Sequence, residues 1–321
     1  MAKRKKKVAK RKTKIAKRKK PAKYVRKSKA RPYCEPDEDN YEPHDEHRHP
    51  PDNPRYPDPQ IYGVYASKKP PPYVPHPYDH SCFRPRKQDY KPPTTCDGDG
   101  DESICVRRDH RTLTSDQQSR FVNAFTQLNA MNALAPLVDI HANAIHQMHR
   151  NPRFLPWHRI YLLRLEELLQ MLDPTVCIPY WKSSEEQAFP SWLLGFSPTV
   201  NLMGGPHTVN RNIGAFAILP NAVDVAAVMG NGTFNAFSPA LEGVHDSGHV
   251  WVGGTMLSIV TAPADPIFWM HHCEIDRLWS EWQAANPGQN PNLTGAAAIM
   301  DPWPENEAAT RDIQTLGYSY I

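Results

Sequence analysis

Long apolar runs are absent from this chain of 321 residues. No stretch of about 18 apolar residues occurs, which excludes a transmembrane helix. The basic N-terminus also lacks the apolar core of a secretory signal peptide. We therefore predict a protein that is cytoplasmic or attached to a coat or wall polymer, and export by a separate partner protein stays open.

Acidic residues are missing from residues 1–31, which contain 18 of the 38 Lys and Arg residues. The rest of the chain carries the other 20 basic residues and all 34 acidic residues, so its net charge is −14. A segment with charges of one sign repels itself and is predicted to be a disordered tail. This tail is either solvated or a contact for a polyanion such as nucleic acid or an anionic wall polymer.

Proline is concentrated in the next segment, residues 32–109, in which residues 32–93 alone hold 16 of the 33 prolines. Proline fixes φ and removes a backbone donor, so we predict a largely irregular or polyproline-like extension. Nine of the 13 tyrosines lie within residues 1–93. Extended segments of this composition commonly cover the surface of a neighbouring domain.

The six cysteines occur in two settings. Cys177 and Cys273 lie in apolar segments, and we predict that both are buried thiols. Cys96 lies in the extension and could form a disulfide bond with Cys82 or with Cys105 in an oxidising setting. Spacing does not decide between these pairings.

Helical periodicity begins at about residue 110, and we predict one domain over residues 110–321. Residues 175–237 are rich in Gly, Pro and Asn and are predicted to be mostly loop. The predicted fold is mainly α, with a four-helix-bundle core and long loops. The predicted helices are a first one that starts at the capping box of Thr114 and Gln117, a second over residues 136–149, a third over 156–172, a fourth that carries His245 and His249 and ends at Gly253 and Gly254, and a fifth over about 266–285.

Histidine is unusually dense in these helices. His245 and His249 are four residues apart, which places both side chains on one helical face, as two ligands of one metal ion require. Asp246 follows the first histidine where zinc hydrolases of the H-E-x-x-H type need a glutamate. No carboxylate or thiol is recognisable as a shared ligand, and uncharged all-imidazole coordination suits copper. Eight of the 15 histidines of the chain fall in three helical segments: His141, His146, His149, His158, His245, His249, His271 and His272.

Two runs of sequence resemble a known family. The run from His149 to Glu166, HRNPRFLPWHRIYLLRLE, is similar to the first copper signature of the tyrosinase and polyphenol oxidase family. The run from Asp265 to Asp276, DPIFWMHHCEID, is similar to the second copper signature. The resemblance covers about residues 110–321 and is closest to bacterial-type catalytic domains, and the terminal Tyr-Ser-Tyr resembles the element that closes those domains.

The resemblance implies a type-3 pair of copper ions in the bundle core. His271 is expected beside the ligands rather than among them, and Phe268 against the ligand rings. Asp276 is expected to accept a hydrogen bond from a ligand imidazole. Gln147 stands where some family members carry a cysteine that is thioether-linked to a ligand, so that linkage is predicted to be absent. The implied ligands are His141, His149 and His158 for the first copper ion, with His146 as the rival of His141, and His245, His249 and His272 for the second.

The activity implied by the resemblance is a copper oxidoreductase that uses O2 to hydroxylate monophenols, to oxidise o-diphenols to o-quinones, or both. Glu242 and Asp246 resemble the pair that is proposed in the family to hold the water molecule that takes the phenol proton. Asp246 replaces the commoner asparagine, and Glu242 lies closer to the first histidine than usual. An alternative role for Glu242 is that of a carboxylate near a helix N-terminus.

Two alternatives remain at this point. One is a catechol or o-aminophenol oxidase that does not hydroxylate monophenols. The other, from a different class, is a polyanion-binding or coat protein with a cross-linking or decayed dicopper domain. The tyrosines of residues 33–90 could either cover the copper pocket or be oxidised and couple with lysines of the tail, which would cross-link the protein to itself.

Overall fold

The computed structural model of the chain describes residues 105–143 and 146–321. The predictions for the basic tail, the tyrosines of the extension and a Cys82–Cys96 pairing lie outside these residues. The mainly helical content confirms the predicted fold class. The elements are β1 (Cys105–Arg107), α1 (Ser115–Ala130), α2 (Ala135–Ala142), α3 (Phe154–Leu172), α4 (Ser183–Glu186), β2 (Thr199–Leu202), β3 (Gly205–Thr208), α5 (Ala222–Met229), α6 (Phe234–Val252), α7 (Pro266–Ala285) and β4 (Tyr318–Tyr320).

The α1 helix begins at the predicted capping box. The Thr114 hydroxyl accepts from the Gln117 backbone N–H at 3.2 Å, and the Gln117 side chain accepts from the Thr114 N–H at 2.9 Å. These bonds satisfy two backbone donors that the first turn would leave open. The buried face of the helix presents Phe121 and Phe125 to the core.

The α2 helix is shorter than the sequence pattern indicates. It ends at Ala142 rather than at His149. Gln147 and Arg150 have φ angles of 46° and 59°, in the left-handed region that interrupts a right-handed helix. The prediction of a helix through residue 149 was therefore wrong, and His149 lies in the connection between α2 and α3.

Residues 175–237, predicted to be mostly loop, also contain the short helix α4, the helix α5 and the start of α6. The α5 helix starts at Asn221, whose side chain accepts from Val223 N at 2.7 Å and Asp224 N at 3.2 Å. In turn, the Asp224 carboxylate accepts a hydrogen bond from the Asn221 N–H at 2.8 Å. This Asn-x-x-Asp capping box is readable in the sequence, and it stabilises a helix inside a Gly- and Asn-rich stretch.

The helices α6 and α7 follow their predicted ends closely. The α6 helix carries His245 and His249 and stops at Gly253, whose φ of 70° ends the helical backbone. The α7 helix spans the predicted Pro266–Ala285, and the Asp265 carboxylate accepts from Ile267 N at 3.1 Å. Together with α2 and α3 they form the predicted bundle around the histidines. No helix of residues 105–143 and 146–321 is long and apolar enough to cross a membrane.

The strand β1 lies before the domain boundary predicted at residue 110, yet it pairs in parallel with β4 near the end of the chain. This pairing brings Cys105 beside the segment that follows α3, where it forms a disulfide bond with Cys177. The predictions of a Cys177 thiol and of a Cys96–Cys105 pairing were therefore wrong. Cys273 is a buried free thiol, as predicted.

A buried ionic cluster joins β1, α3, α7 and β4. The Arg107 guanidinium donates to the Glu166 carboxylate at 2.9 Å and to Asp276 at 3.3 Å. Arg159 donates to the other oxygen of Asp276 at 2.5 Å. Every charged group in this cluster has an opposite partner, as burial of a charge requires. The cluster therefore fixes α3 against α7, the two helices that carry His158 and His272.

Candidate metal centre

Three imidazoles of α6 and α7 converge on one point. His245 Nε2 lies 2.9 Å from His249 Nε2 and 3.0 Å from His272 Nε2. His249 Nε2 lies 3.4 Å from His272 Nε2. Imidazole nitrogens bind first-row metal ions at about 2.0–2.1 Å, which separates two neighbouring ligand nitrogens by about 3 Å. The spacing of these three atoms therefore fits one ion.

A second group consists of His141, His149 and His158, whose ligand atoms all lie within 4.8 Å of one another. His141 Nε2 is 3.5 Å from His158 Nε2. His141 comes from the last turn of α2, His149 from the connection, and His158 from the first turns of α3. The structure thus brings together the six histidines that the sequence singles out, in two triads.

The two triads face each other across the bundle. The rings of His158 and His272 stack with centroids 4.4 Å apart. Phe268 packs against His272 at 4.1 Å and against His141 at 5.0 Å, which confirms its predicted contact with rings of both groups. Phe154 contacts His245 at 4.9 Å. The space between the triads is therefore lined by apolar aromatic rings.

His271 approaches the second triad but is turned away from its centre. Its ligand atoms also lie within 4.8 Å of those of His245 and His249. Its Nε2, however, donates to the backbone oxygen of His245 at 2.9 Å, so this nitrogen offers no lone pair, while its Nδ1 is buried without a hydrogen-bond partner. His271 thus supports α6 through this hydrogen bond, and its place beside the ligands rather than among them stays a prediction.

His146 is engaged elsewhere. Its Nδ1 lies 2.6 Å from the Asp301 carboxylate, and its ring stacks on Trp157. The indole of Trp157 lies between it and His141, with centroids 6.2 Å from each. The structure therefore groups His141, and not its rival, with His149 and His158.

Backbone carbonyl groups fix several of the imidazoles. The Nδ1 atoms of His141, His158 and His249 lie 2.8–2.9 Å from the oxygens of Ile259, Phe154 and Met256, respectively. A carbonyl oxygen can only accept, so each Nδ1 carries the proton and each Nε2 presents a lone pair. The lone pairs of the Nε2 atoms that converge within each triad therefore repel one another unless a cation lies between them.

The protonation state of the triads also suits a metal ion. Burial lowers the pKa of His149 to about 4 and that of His249 to about 3. The imidazoles are therefore neutral at pH 7 and need not lose a proton to bind a metal ion. Burial, followed by neighbouring imidazoles, lowers the pKa of the other four well below the usual value: His141, His158, His245 and His272.

Asp276 does not have its predicted role. Its carboxylate accepts from Arg159, Arg107 and the hydroxyl groups of Tyr318 and Tyr320, the last two at 2.7 and 2.6 Å. His272 Nδ1 is buried without a hydrogen-bond partner. The prediction that Asp276 orients a ligand imidazole was therefore wrong. The signature aspartate, arginine and glutamate hold the scaffold together behind the triads.

Glu242 and Asp246 converge on one residue that the sequence interpretation missed, Arg150. The Glu242 carboxylate accepts from the Arg150 backbone N–H at 2.8 Å, and Asp246 pairs with the Arg150 guanidinium at 2.5 Å. Burial raises the pKa of Glu242 to about 7 and raises that of Asp246. The sequence shows that Arg150 directly follows His149 inside the first signature, but it could not predict the contact of Arg150 with α6.

Gly248 is a second residue that sequence interpretation missed. A Cβ atom at this position would lie 2.4 Å from His271 Cε1. A side chain there would force His271 away from α6 and from the His245 carbonyl. A glycine between two histidines of one helix face was the available signal.

Comparisons with known proteins agree with this geometry. Residues 122–214 and 197–285 match the model of the common central domain of tyrosinase. The tyrosinase of Streptomyces glaucescens is 31% identical over 272 residues, which are 68% of this chain and 99% of that protein. The tyrosinase of Streptomyces antibioticus is similar to the same extent.

Solved structures share the fold. A functional unit of octopus hemocyanin has a TM-score of 0.58 at 20% identity and covers 67% of this chain and 68% of its own. A polyphenol oxidase variant from Thermothelomyces thermophila has a TM-score of 0.54 at 20% identity, over 69% of this chain and 90% of its own. The family model, the Streptomyces relatives and two histidine triads suited to two copper ions lead to one conclusion: the chain belongs to the tyrosinase family and is a type-3 copper oxidase of phenols.

Proposed function

We propose that each triad binds one copper ion and that the chain both hydroxylates monophenols and oxidises o-diphenols to o-quinones. The observation that carries the proposal is the convergence of neutral imidazole nitrogens, which lie 2.9–3.4 Å apart in the second triad and within 4.8 Å of one another in the first. The proposed ligands of the first ion are His141, His149 and His158, and those of the second are His245, His249 and His272.

The bound copper pair supplies the redox chemistry with O2 as co-substrate. The protein residues hold the substrate ring, keep water away and move protons. Phe154 and Phe268 are fully buried against the imidazoles. His149 and His249 are half-buried, one in each triad. A phenol therefore reaches the centre from the side of these two histidines.

Glu242 is the proposed proton acceptor. A phenol has a pKa of about 10, so its proton must be removed before the oxygen can approach copper at neutral pH. A carboxylate with a pKa of about 7 matches the working pH of a general base. Asp246, held by Arg150, lies one turn along the same helix and would help to hold the intervening water molecule.

The alternative is oxidation of o-diphenols or o-aminophenols without hydroxylation. Both Asp246 oxygens are engaged, one with Arg150 at 2.5 Å and one near His245 Nδ1 at 3.1 Å. A carboxylate also cannot donate a hydrogen bond as an asparagine amide would. If hydroxylation requires a hydrogen-bond donor at position 246, these contacts favour oxidation without hydroxylation.

The test compares substrates on the copper-loaded protein. Initial rates of O2 consumption and quinone formation are measured with tyrosine, a catechol and an o-aminophenol, for the wild type and for Asp246→Asn. Turnover of tyrosine by the wild type supports the proposal. If the wild type oxidises catechol but not tyrosine, and Asp246→Asn gains tyrosine turnover, the chain is an oxidase that does not hydroxylate monophenols. No oxidation by a chain that holds two copper ions contradicts both.

We further propose that residues 1–31 attach the protein to a polyanion, with a coat or wall polymer as the candidate. The support is the charge of this segment alone, 18 basic residues and no acidic ones. A further proposal of this kind is that tyrosines of residues 33–90 are oxidised and couple with lysines of residues 1–31. Deleting residues 1–31 should abolish salt-dependent retention on a polyanion, and deleting residues 1–104 should abolish adducts of higher mass. A protein that is retained but never oxidises phenols would instead be a coat protein.

A further inference from the structure

The connection between α2 and α3 has an unusual backbone around His149. Gln147, two residues before it, and Arg150, directly after it, have φ angles of 46° and 59°. Non-glycine residues rarely adopt this region, and they keep it only where the surrounding structure holds them there. The position of His149 therefore depends on whatever fixes the connection.

Asp301 contacts the connection on both sides of His149. Its Oδ2 lies 2.6 Å from His146 Nδ1, three residues before His149. Its Oδ1 accepts from the Arg153 guanidinium, four residues after His149. Its backbone oxygen accepts from the Trp157 indole at 2.7 Å. One residue from near the end of the chain thus holds both flanks of the connection and the start of α3.

His149 needs this support more than its neighbours do. His141 and His158 are each oriented by a backbone carbonyl at 2.8 Å from Nδ1. Among the residues that the structure describes, no such acceptor lies at the ring of His149. Its backbone oxygen accepts from the Asn151 amide at 2.8 Å, which again restrains the connection rather than the ring. The direction of the His149 imidazole is therefore set by the backbone of the connection.

Burial by itself would raise the pKa of Asp301, but hydrogen bonds from His146 and Arg153 lower it below its usual range. The carboxylate is thus charged at neutral pH and accepts from both flanks at the same time. A neutral amide has one acceptor oxygen, so it could accept from only one of the two flanks.

We propose that Asp301 is a positioning residue of the first copper site, which holds His149 in its coordinating position by clamping His146 and Arg153. The inference rests on the proposed function, since it takes His149 as a copper ligand. It also gives His146 a role other than coordination: through its hydrogen bond with Asp301, His146 restrains the connection that carries His149.

The experiment follows copper retention rather than activity alone. Wild type, Asp301→Asn and Asp301→Ala are loaded with copper and dialysed against a chelator, and copper per chain is measured over time. Loss of a partner that orients a ligand typically weakens metal binding about 10–100-fold. We expect one of the two copper ions to leave the Asp301→Ala variant faster by a factor in this range, and Asp301→Asn to be intermediate. The kcat for a catechol should fall with the copper content, while KM should change little.

The matched control is Glu305→Gln. Glu305 lies in the same C-terminal segment and accepts from Arg164 of α3 at 2.5 Å, so its loss weakens the same contact between segments without touching the connection. Midpoints of thermal unfolding of the copper-free variants show whether each one folds.

Three outcomes would overturn the inference: both copper ions retained as in the wild type, both lost at equal rates, or equal loss from Glu305→Gln. A wild-type chain that does not hold two copper ions would instead contradict the proposed function. If Asp301→Ala does not fold, the comparison of Asp301→Asn with Glu305→Gln decides.

Discussion

The two triads are built in different ways. His245, His249 and His272 all project from the interiors of two long helices, α6 and α7. His141, His149 and His158 come from a helix end, a connection and a helix start. Helical spacing alone brings two histidines of the second triad onto one face. The first triad depends on contacts from residues 242, 259 and 301, far away in the chain.

The difference shows that equal ligand sets can rest on unequal supports. A perturbation of α6 or α7 should act first on the second triad, and a perturbation of the α2–α3 connection should act first on the first triad. The ionic cluster of Arg107, Glu166, Asp276 and Arg159 touches the helices of both. It should therefore affect the two sites together.

The largest effect is expected from removing one proposed ligand of each triad. His149→Ala and His245→Ala should each lower the copper content from two ions to one and abolish the oxidation of catechols, because a coupled pair needs both ions. Copper analysis and O2 consumption measure the two effects. His207→Ala is the control, since His207 contacts Thr255 at 3.0 Å outside both triads. Two ions in either ligand variant would contradict the assignment.

A break in the shared cluster should destabilise both sites equally. Arg107→Met leaves Glu166 and Asp276 buried without one of their cationic partners, and such a loss costs about 3–5 kcal/mol. Denaturant unfolding of the copper-free protein measures this change. Copper loss from the variant should show no preference for one ion. Selective loss of a single ion would show that the cluster supports one triad more than the other.

The Glu242 carboxyl group links α6 to the connection of the first triad, and its pKa predicts a pH dependence. The pKa rises from 4.5 to about 7 on folding because the group is buried, so the folded chain binds this proton more tightly than the unfolded chain. Its contribution is most favourable below pH 4.5 and is lost as the pH rises to about 7, which amounts to about 3 kcal/mol. In copper-free protein, Glu242→Gln should remove this loss and become more stable than the wild type above pH 7. Equal pH profiles of the free energy of unfolding would contradict the shift.

Two glycines of α6 give the smallest and most local comparison. Gly248→Ala places a Cβ 2.4 Å from His271, and overpacking of this kind costs about 1–3 kcal/mol. Gly243→Ala meets nothing within 4 Å and should stabilise the helix by about 0.5–1 kcal/mol. The free energy of unfolding of the copper-free variants measures the expected loss of stability in Gly248→Ala and the expected gain in Gly243→Ala. Copper retention should fall at the second site in Gly248→Ala alone, and equal effects of the two changes would contradict the role of His271.

Much of the second triad could be predicted because its information is local. The ends of α7 and the face shared by His245 and His249 follow from spacing within one helix, while the contact of Phe268 with the ligand rings was implied by the family resemblance. Capping patterns likewise mark the starts of α1 and α5. Each of these features depends on hydrogen bonds or apolar contacts between residues a few positions apart.

The first triad and the scaffold could be predicted only in part. The density of histidine favoured imidazole coordination of copper, and the resemblance of two runs to the family's copper signatures implied a dicopper centre. Which of His141 and His146 joins the first triad depends on Asp301, which binds His146 from 155 positions further along the chain. The Cys105–Cys177 bond and the role of Asp276 were decided by the pairing of β1 with β4 at the opposite end of the domain.

The sequence by itself thus determined the chemistry: which side chains can bind copper, and on which helical faces most of them lie. Tertiary structure decided which of two neighbouring histidines turns inward, what holds the strained connection around His149, and which buried charges neutralise one another. The physical reason is range. Helical periodicity and capping act over one or two turns, whereas the hydrogen bonds and ion pairs that complete the first site join residues that meet only once the bundle has closed.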